Sequence, residues 1–236
     1  MLIVAEPDQE TTSTEAIRGW FADATLIERP TAIITTRSTT KLSSSPPSLS
    51  GAAICPTAAS VVRVAREIEL RRHADADGDF LTAEGVSAAL EIGARLGGGY
   101  HIAVSTGAQR ATQTLACFLA ALGERVPGGV VVEPDLRSQV EDRWRAAYRD
   151  AGSGELAALR DADPELVAAD AQRLGDALRR VLDVVPDGGR ALVVGHSPTN
   201  EAAVLGLTGE IVAPLAKGTG VRVVADDDGY RIEPVE

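Results

Sequence analysis

Leu70-Arg71-Arg72-His73-Ala74-Asp75-Ala76 is the stretch on which the fold of this chain turns. Ile68 to Leu70 reads as a short buried strand, and Arg72-His73 falls where that strand should end. A neutral imidazole beside a guanidinium makes a workable phosphate site. The ring nitrogen can attack phosphorus, and the fork of N–H donors can hold the oxygens. Taken alone, the pair reads first as an ordinary polar strand end, so its meaning depends on the rest of the chain.

Working outward, strand and helix signals alternate. Asp77-Gly78-Asp79-Phe80 reads as a loop, and Asp75, Asp77 and Asp79 as a solvated turn, since no Glu follows at the spacing a calcium loop needs. Thr82 caps a helix carrying Val86, Ala89, Leu90, Ala94 and Leu96 on one stripe, which ends at Gly97-Gly98-Gly99. Ile102 to Val104 is a second strand, turning at Ser105-Thr106-Gly107 into a helix with Ala111, Leu115, Phe118, Leu119 and Leu122 on its apolar face and Gly123 at its end. Val130 to Val132 is a third strand. Residues 134–163 are polar, with short helices expected near 143–148 and 155–160. Pro164 opens a longer helix through Leu166, Leu174, Leu178 and Leu182. Ala191 to Val194 is a fourth strand, Gly195-His196-Ser197-Pro198 turns into another helix, and Val221–Ile232 forms a terminal hairpin.

This order predicts an α/β fold, a three-layer sandwich with a mostly parallel sheet and helices on both faces. Ligands in such folds bind beyond the carboxyl ends of the strands. That rule brings Arg72, His73, Arg110 and His196 to one edge of the sheet. His101 starts its strand, at the opposite edge, and reads as structural.

Composition sets the surroundings. Aromatic residues make up 3% of the 236 residues, so the core must be built from Ala, Val, Leu and Ile. A net charge of −11 repels nucleic acid and anionic lipid, so neither is an expected partner, and an anionic substrate needs a local basic pocket. Cys55 and Cys117 form no disulfide framework or metal motif, and Cys117 falls in an apolar helical pattern. No run approaches the roughly 20 apolar residues of a membrane span. The start, MLIVAEPDQE, lacks a basic segment followed by a long apolar one, so no secretory signal and a cytoplasmic location are expected. Residues 1–60 differ from the rest. Thr12-x-x-Glu15 resembles a capping box ahead of Ile17, Trp20, Phe21 and Ala24, and 12 of the 16 residues from Thr35 to Ser50 are Ser, Thr or Pro. We read 1–60 as an N-terminal extension with a linker, and 61–236 as the folded domain.

Four segments, in order, resemble the histidine phosphatase superfamily with its phosphoglycerate-mutase-like fold. LRRHADA resembles the strand and Arg-His pair, with Ala74 where Gly is commoner. FLTAEGVSAA resembles the LTxxG helix start, AVSTGAQRATQT the segment ending in a phosphate-binding Arg, and VVGHSPTNEA the second-histidine turn. The resemblance runs from about Ile68 to Leu207 and leaves residues 1–60 unmatched. It implies a metal-independent phosphatase with no cofactor. His73 would be the nucleophile that becomes phosphohistidine, Arg72 and Arg110 the clamps on the phosphoryl oxygens, and His196 a further contact to the transferring group. Its substrate would be a phosphorylated small molecule or phosphoprotein. The alternative is a catalytically silent phosphate-binding or partner-recruiting module of the same fold, although silent members should have lost His73 or an Arg.

The chain departs from the pattern twice. Leu136-Arg137-Ser138 occupies the register of the family's LxE segment, with Ser138 where the catalytic acid stands, which makes Glu141, one helical turn on, the candidate acid. The loop after His73, Ala74 to Phe80, is seven residues long. Mutase members carry a longer loop there, so the resemblance points to the compact, open-site branch that includes small bacterial phosphohistidine phosphatases. Residues 133–163, where specificity should lie, match no motif, and the oligomeric state is not legible.

Overall fold

A computed structural model of the chain describes residues 64–236. The expected helix at 12–24, the linker at 35–50 and the boundary near 60 lie outside the described residues.

Strand β1 runs Arg66–Arg72. A small hairpin, β2 (Ala76–Asp77) and β3 (Phe80–Leu81), turns at Gly78 and leads into helix α1 (Ala83–Gly93). Then follow β4 (Tyr100–Ser105), α2 (Gln109–Leu122) and β5 (Val130–Val132). A 3-10 turn at Pro134–Leu136 precedes α3 (Glu141–Ala151), α4 (Leu156–Ala162) and the long α5 (Pro164–Val184). The chain continues with β6 (Arg190–Gly195), α6 (Thr199–Thr208), β7 (Gly220–Asp226) and β8 (Gly229–Val235). Helices α3 and α4 extend the expected 143–148 and 155–160 segments by a few residues, which is ordinary for boundaries read from periodicity.

Six strands form one mixed sheet in the order β5-β4-β6-β1-β7-β8. The four on the β5 side are mutually parallel, and β7 and β8 close the other edge as an antiparallel hairpin. Side-chain alternation sorts the two faces. Ile68, Leu70, Ile102, Val104, Ala191, Val193, Val221 and Val223 point to one layer, where α5 and α6 supply Val167, Leu174, Leu178 and Val204, and α3 adds Trp144. Ala103, Leu192 and Val194 point to the other, against Ala89 of α1 and Ala111, Leu115 and Phe118 of α2. Cys117 packs there too, buried and unpaired. The expected sandwich is therefore present, with a core dominated by aliphatic residues.

One feature of β1 departs from an apolar strand. Between Ile68 and Leu70, and just beyond, Glu69 and Arg71 are 3% and 4% exposed. A buried charge is tolerated only when paired and hydrogen-bonded. Arg71 Nε donates to Glu69 Oε1 at 2.7 Å and Tyr100 Oη to Glu69 Oε2 at 2.7 Å, while Arg71 Nη1 and Nη2 donate to the carbonyls of Gly218 and Glu236 at 2.8 and 2.9 Å. The pair thus pins the segment before β7 alongside β1, at the edge where the candidate residues gather.

Helix α1 is docked against the loop that follows His73. Thr82 Oγ1 accepts from Gly85 N at 3.0 Å and donates to Asp75 Oδ2 at 3.2 Å, so one hydroxyl caps the helix and holds the loop. A Cβ at Gly85 would stand 2.0 Å from the carbonyl oxygen of Asp75, too close for any side chain. This explains the glycine of the LTAEG segment as a backbone contact. Gly85→Ala should therefore lower the unfolding free energy by about 1–3 kcal/mol, as overpacked sites do. Denaturant unfolding checks this, and an unchanged midpoint would show that the loop moves aside freely.

Candidate active site

The parallel strands deliver the predicted residues to one edge. β1 ends at Arg72, β4 at Ser105 and β6 at Gly195. Arg72 is in register with Gly195, and His73 N donates to the Gly195 carbonyl at 2.9 Å, so the two histidines follow adjacent strand ends. Their ring centroids are 5.2 Å apart, with planes at 60°.

His73 is 8% exposed. Its Nδ1 lies 2.7 Å from the Ala74 carbonyl, which can only accept, so Nδ1 carries the proton and Nε2 the lone pair. Arg110, in the first turn of α2, donates from Nε to that lone pair at 3.2 Å, across 37 residues of chain. The loop is held in turn by Ala74 N donating to Thr114 Oγ1 at 3.0 Å. Burial, with the nearby positive charges of Arg110, Arg72 and Lys217, pushes the His73 pKa from 6.5 down to about 4, against the raising effect of the Ala74 bond. The ring is neutral at pH 7.

His196 is held as firmly. Asn200 Oδ1 accepts from His196 N at 3.1 Å, and Asn200 Nδ2 donates to the Arg71 carbonyl at 3.0 Å, bracing the turn against β1. This return needs the glycine before it, because a Cβ at Gly195 would lie 2.2 Å from Asn200 Oδ1. His196 Nε2 pairs with Thr106 Oγ1 at 2.9 Å, while Nδ1 is buried without a hydrogen-bond partner among the described residues. Burial first, then Arg110, His73 and Arg137, push its pKa down to about 3. Arg72 donates from Nη1 to the Leu215 carbonyl at 2.8 Å, and its Nε is likewise buried and unpartnered. Unsatisfied buried polar groups are uncommon enough to need a reason. Two of them at one strand edge, beside a neutral imidazole, suit an incoming oxyanion.

A pocket of about 180 Å³ opens from Arg110 and His196 toward α3 and is lined also by Arg137, Ser138, Glu141 and Ser197. Glu141 therefore reaches the site region, but both its oxygens are engaged. Oε1 accepts from Arg137 Nε at 2.6 Å and Oε2 from Arg145 Nη2 at 3.2 Å. Ser138 Oγ accepts from Val140 N at 3.1 Å, at the entry to α3.

Asp75, Asp77 and Asp79 flank an exposed hairpin turn, with the Asp75 and Asp79 side chains 44% and 46% exposed, but two of them also make contacts that the sequence does not signal. Asp79 accepts from Arg110 Nη1 at 2.9 Å and from Gln109 N at 3.2 Å, and Asp75 pairs with Lys217 and Thr82. Both carboxylates orient site elements while remaining partly exposed, and Asp77 faces solvent. Thr106, Arg137 and Lys217 carry no sequence signal of a role, although Thr106 lies in the Ser105-Thr106-Gly107 turn and Arg137 in the Leu136-Arg137-Ser138 segment. Arg137 and Lys217 reach the site through tertiary placement, and no spacing links them to His73. Among the described residues, no group of three or more His, Cys, Asp or Glu is arranged to hold a metal ion, and no helix is long and apolar enough to cross a membrane.

No protein-family model and no curated protein matches the chain. Solved structures do. Phosphoglycerate mutase from Bacillus anthracis superposes with a TM-score of 0.57 at 19% identity, covering 73% of this chain and 93% of that one. The fold is phosphoglycerate-mutase-like. A phosphoserine phosphatase from Entamoeba histolytica, in complex with 3-phosphoglyceric acid, matches at a TM-score of 0.54 and 16% identity over 72% of this chain and 97% of its own. The alpha-ribazole phosphatase from Shigella flexneri matches at 0.50 and 15%, over 72% and 95%. At these identities the likeness is one of fold, and it is the fold that the four sequence segments imply.

The lowered histidine pKa values carry a stability consequence. Below pH 6.5 the unfolded chain takes up protons that the folded site refuses until about pH 4 at His73 and about pH 3 at His196. Their contribution is complete above pH 6.5 and is lost as pH falls through that window. A His73→Gln, His196→Gln double variant should show a shallower fall in unfolding free energy between pH 6.5 and 4 than the parent. Equal slopes in denaturant titrations at a series of pH values would show that the rings are not held neutral.

Proposed function

We propose that the chain is a phosphatase that hydrolyses a phosphomonoester or phosphoramidate through a phosphohistidine on His73. The observation that carries this reading is the tautomer of His73. Its Nδ1–H is spent on Ala74, so Nε2 holds the nucleophilic lone pair, which accepts from Arg110 Nε until a phosphoryl group arrives. Two buried nitrogens without a hydrogen-bond partner among the described residues, Arg72 Nε and His196 Nδ1, stand nearby, and in this scheme Thr106 donates to His196 Nε2 so that Nδ1–H is a donor. Phosphoryl transfer asks of a protein mainly positioning and stabilisation of the equatorial oxygens.

In the first step the Nε2 lone pair attacks phosphorus, and the bond to the leaving oxygen or nitrogen breaks with its electron pair. Arg110 shifts from Nε2 onto a phosphoryl oxygen, joined there by Arg72 and His196. In the second step water attacks the phosphohistidine, the P–N bond breaks with its electron pair returning to Nε2, and the water's protons leave on the phosphate or pass to solvent. No metal is required by this scheme, and the substrate is a phosphorylated small molecule or phosphoprotein. Arg137, lining the same pocket, would face the leaving-group side and bias selection toward leaving groups with negative charge.

Replacing His73 with Ala should lower kcat by roughly 10³-fold or more while leaving the fold intact, as loss of a nucleophile does. Orthovanadate should inhibit the parent, and chelators should leave it unaffected. Acid-labile phosphate trapped on a residue other than His73, or activity that a divalent ion restores after chelation, contradicts the assignment. Vanadate binding without turnover of any phosphate ester or phosphohistidine would leave a silent phosphate-binding module.

The leaving group supplies a second test. With Ser138 in the acid's register and Glu141 engaged by two guanidiniums, protonation of the departing atom is weak. A phenol, with a pKa of about 10, needs such help far less than an alkoxide. General-acid assistance contributes roughly 10²–10⁴-fold. Aryl phosphates and phosphohistidine should therefore be cleaved much faster than alkyl phosphates. A series of esters with graded leaving-group pKa, run with the parent and with Glu141→Gln, separates the cases. Steep dependence in both removes Glu141 from proton transfer, whereas a flat parent that steepens in the variant makes Glu141 the acid.

A further inference from the structure

Glu201 lies in the first turn of α6 at 1% exposure, and the scheme above gives it no part. Its Oε1 accepts two hydrogen bonds, from Ser197 Oγ at 2.6 Å and from the backbone N–H of Leu215 at 2.7 Å. The carbonyl of Leu215 accepts from Arg72 Nη1 at 2.8 Å. Ser197 directly follows His196. A single carboxylate oxygen therefore joins the turn that bears His196 to the residue that holds the Arg72 guanidinium.

Burying this carboxylate is costly. Burial pushes its pKa up, opposed by the Leu215 and Ser197 hydrogen bonds and by the charge of Arg72. Its Oε2 has no partner among the described residues. An apolar side chain would fill the same space at lower cost, but it could not hold the Leu215 amide. Leu215 lies between α6 and β7, in residues 209–219, which form neither helix nor strand. Further along, Gly218 N donates to the Arg72 carbonyl at 3.1 Å and Arg72 N to the Thr219 carbonyl at 2.9 Å. Those bonds fix the backbone of Arg72, whereas its guanidinium is anchored through Leu215.

We propose that Glu201 is a positioning residue for Arg72. By holding Leu215 at its amide, it places the carbonyl that engages Nη1 and leaves Nε and Nη2 of Arg72 aimed at the phosphoryl oxygens. This inference rests on reading the site as a phosphoryl-binding one. Ser197 is the other arm of the same tether, and its turn is independently braced by Asn200.

The test is a double-mutant cycle on the full chain, read by orthovanadate Kd from calorimetry and by kcat/KM for an aryl phosphate. Glu201→Gln keeps the acceptor oxygen and should hold both values within about threefold of the parent. Glu201→Asp is one methylene short of Leu215, and Glu201→Ala lacks the acceptor. Each should weaken vanadate binding by roughly tenfold or more, the loss expected for a hydrogen bond to a charged group. In an Arg72→Ala background the same changes should add less than about threefold, since the residue they act through is gone. Should Glu201→Ala fail to fold, Glu201→Asp carries the comparison.

Fully additive losses overturn the proposal, as does parent-like binding in Glu201→Asp. A Glu201→Gln variant as impaired as Glu201→Ala also overturns it and points to proton transfer instead. A parent chain that binds vanadate without turning over substrate defeats the phosphatase reading, while the binding cycle still reports on Glu201. A parent that binds no vanadate overturns both.

Discussion

The site depends first on the register between β1 and β6. Parallel pairing sets Arg72 against Gly195, and the His73 amide closes the ladder on the Gly195 carbonyl. A slip of one residue would turn the side chains of one strand to the opposite face and separate the two histidines. Register is secured because both faces are buried. Ile68, Leu70, Ala191 and Val193 go to one layer and Leu192 and Val194 to the other, so any shift would move apolar side chains out of their partners. The geometry of the chemistry is inherited from packing some distance below it.

Around that register, the polar contacts form a second tier. Asn200 ties the His196 turn to β1, Thr114 and Thr82 hold the loop after His73, and Asp79 aims Arg110. Each joins a strand, or the chain beyond it, to a helix or its cap. The arrangement leaves the histidines in a buried, cationic setting inside a chain with a net charge of −11. That setting keeps both rings neutral, and in the proposed chemistry it supplies the attacking lone pair and draws in an anion. The acidic surface elsewhere would disfavour anions without a tight fit, which makes the local cluster of Arg72, Arg110, Arg137 and Lys217 the more selective.

The solved structures that share this fold include a mutase and phosphatases at 15–19% identity. A fold so widely reused says little about the leaving group. One departure from the sequence pattern that this chain resembles lies on the α3 side of the site. There Ser138 Oγ accepts from the Val140 amide just ahead of α3, and Glu141 bridges Arg137 and Arg145 rather than standing free. These residues make a pocket wall from an internally paired cluster, a different solution from a lone carboxyl acid.

The sequence alone was enough for the architecture and for placing four candidate residues at one edge of the sheet. Period-2 and helical patterns placed the strands and helices, and the rule that ligands sit beyond the carboxyl ends of parallel strands gathered Arg72, His73, Arg110 and His196. Those signals are local, because a strand end or a helix start can be read from the residues next to it. Tertiary structure decided the rest. Which tautomer His73 adopts depends on a carbonyl, and its depressed pKa on burial and on arginines from other elements. Asp79 became an orienting group, and Glu201 a buried link to Leu215, only through contacts across 31 and 14 residues of chain. The charge pair inside β1 is equally invisible to a hydrophobic pattern, since its partners arrive from β4, the segment before β7 and the end of β8. A hydrogen bond is fixed within a few tenths of an ångström, and sequence spacing constrains distant segments no better than the fold that joins them.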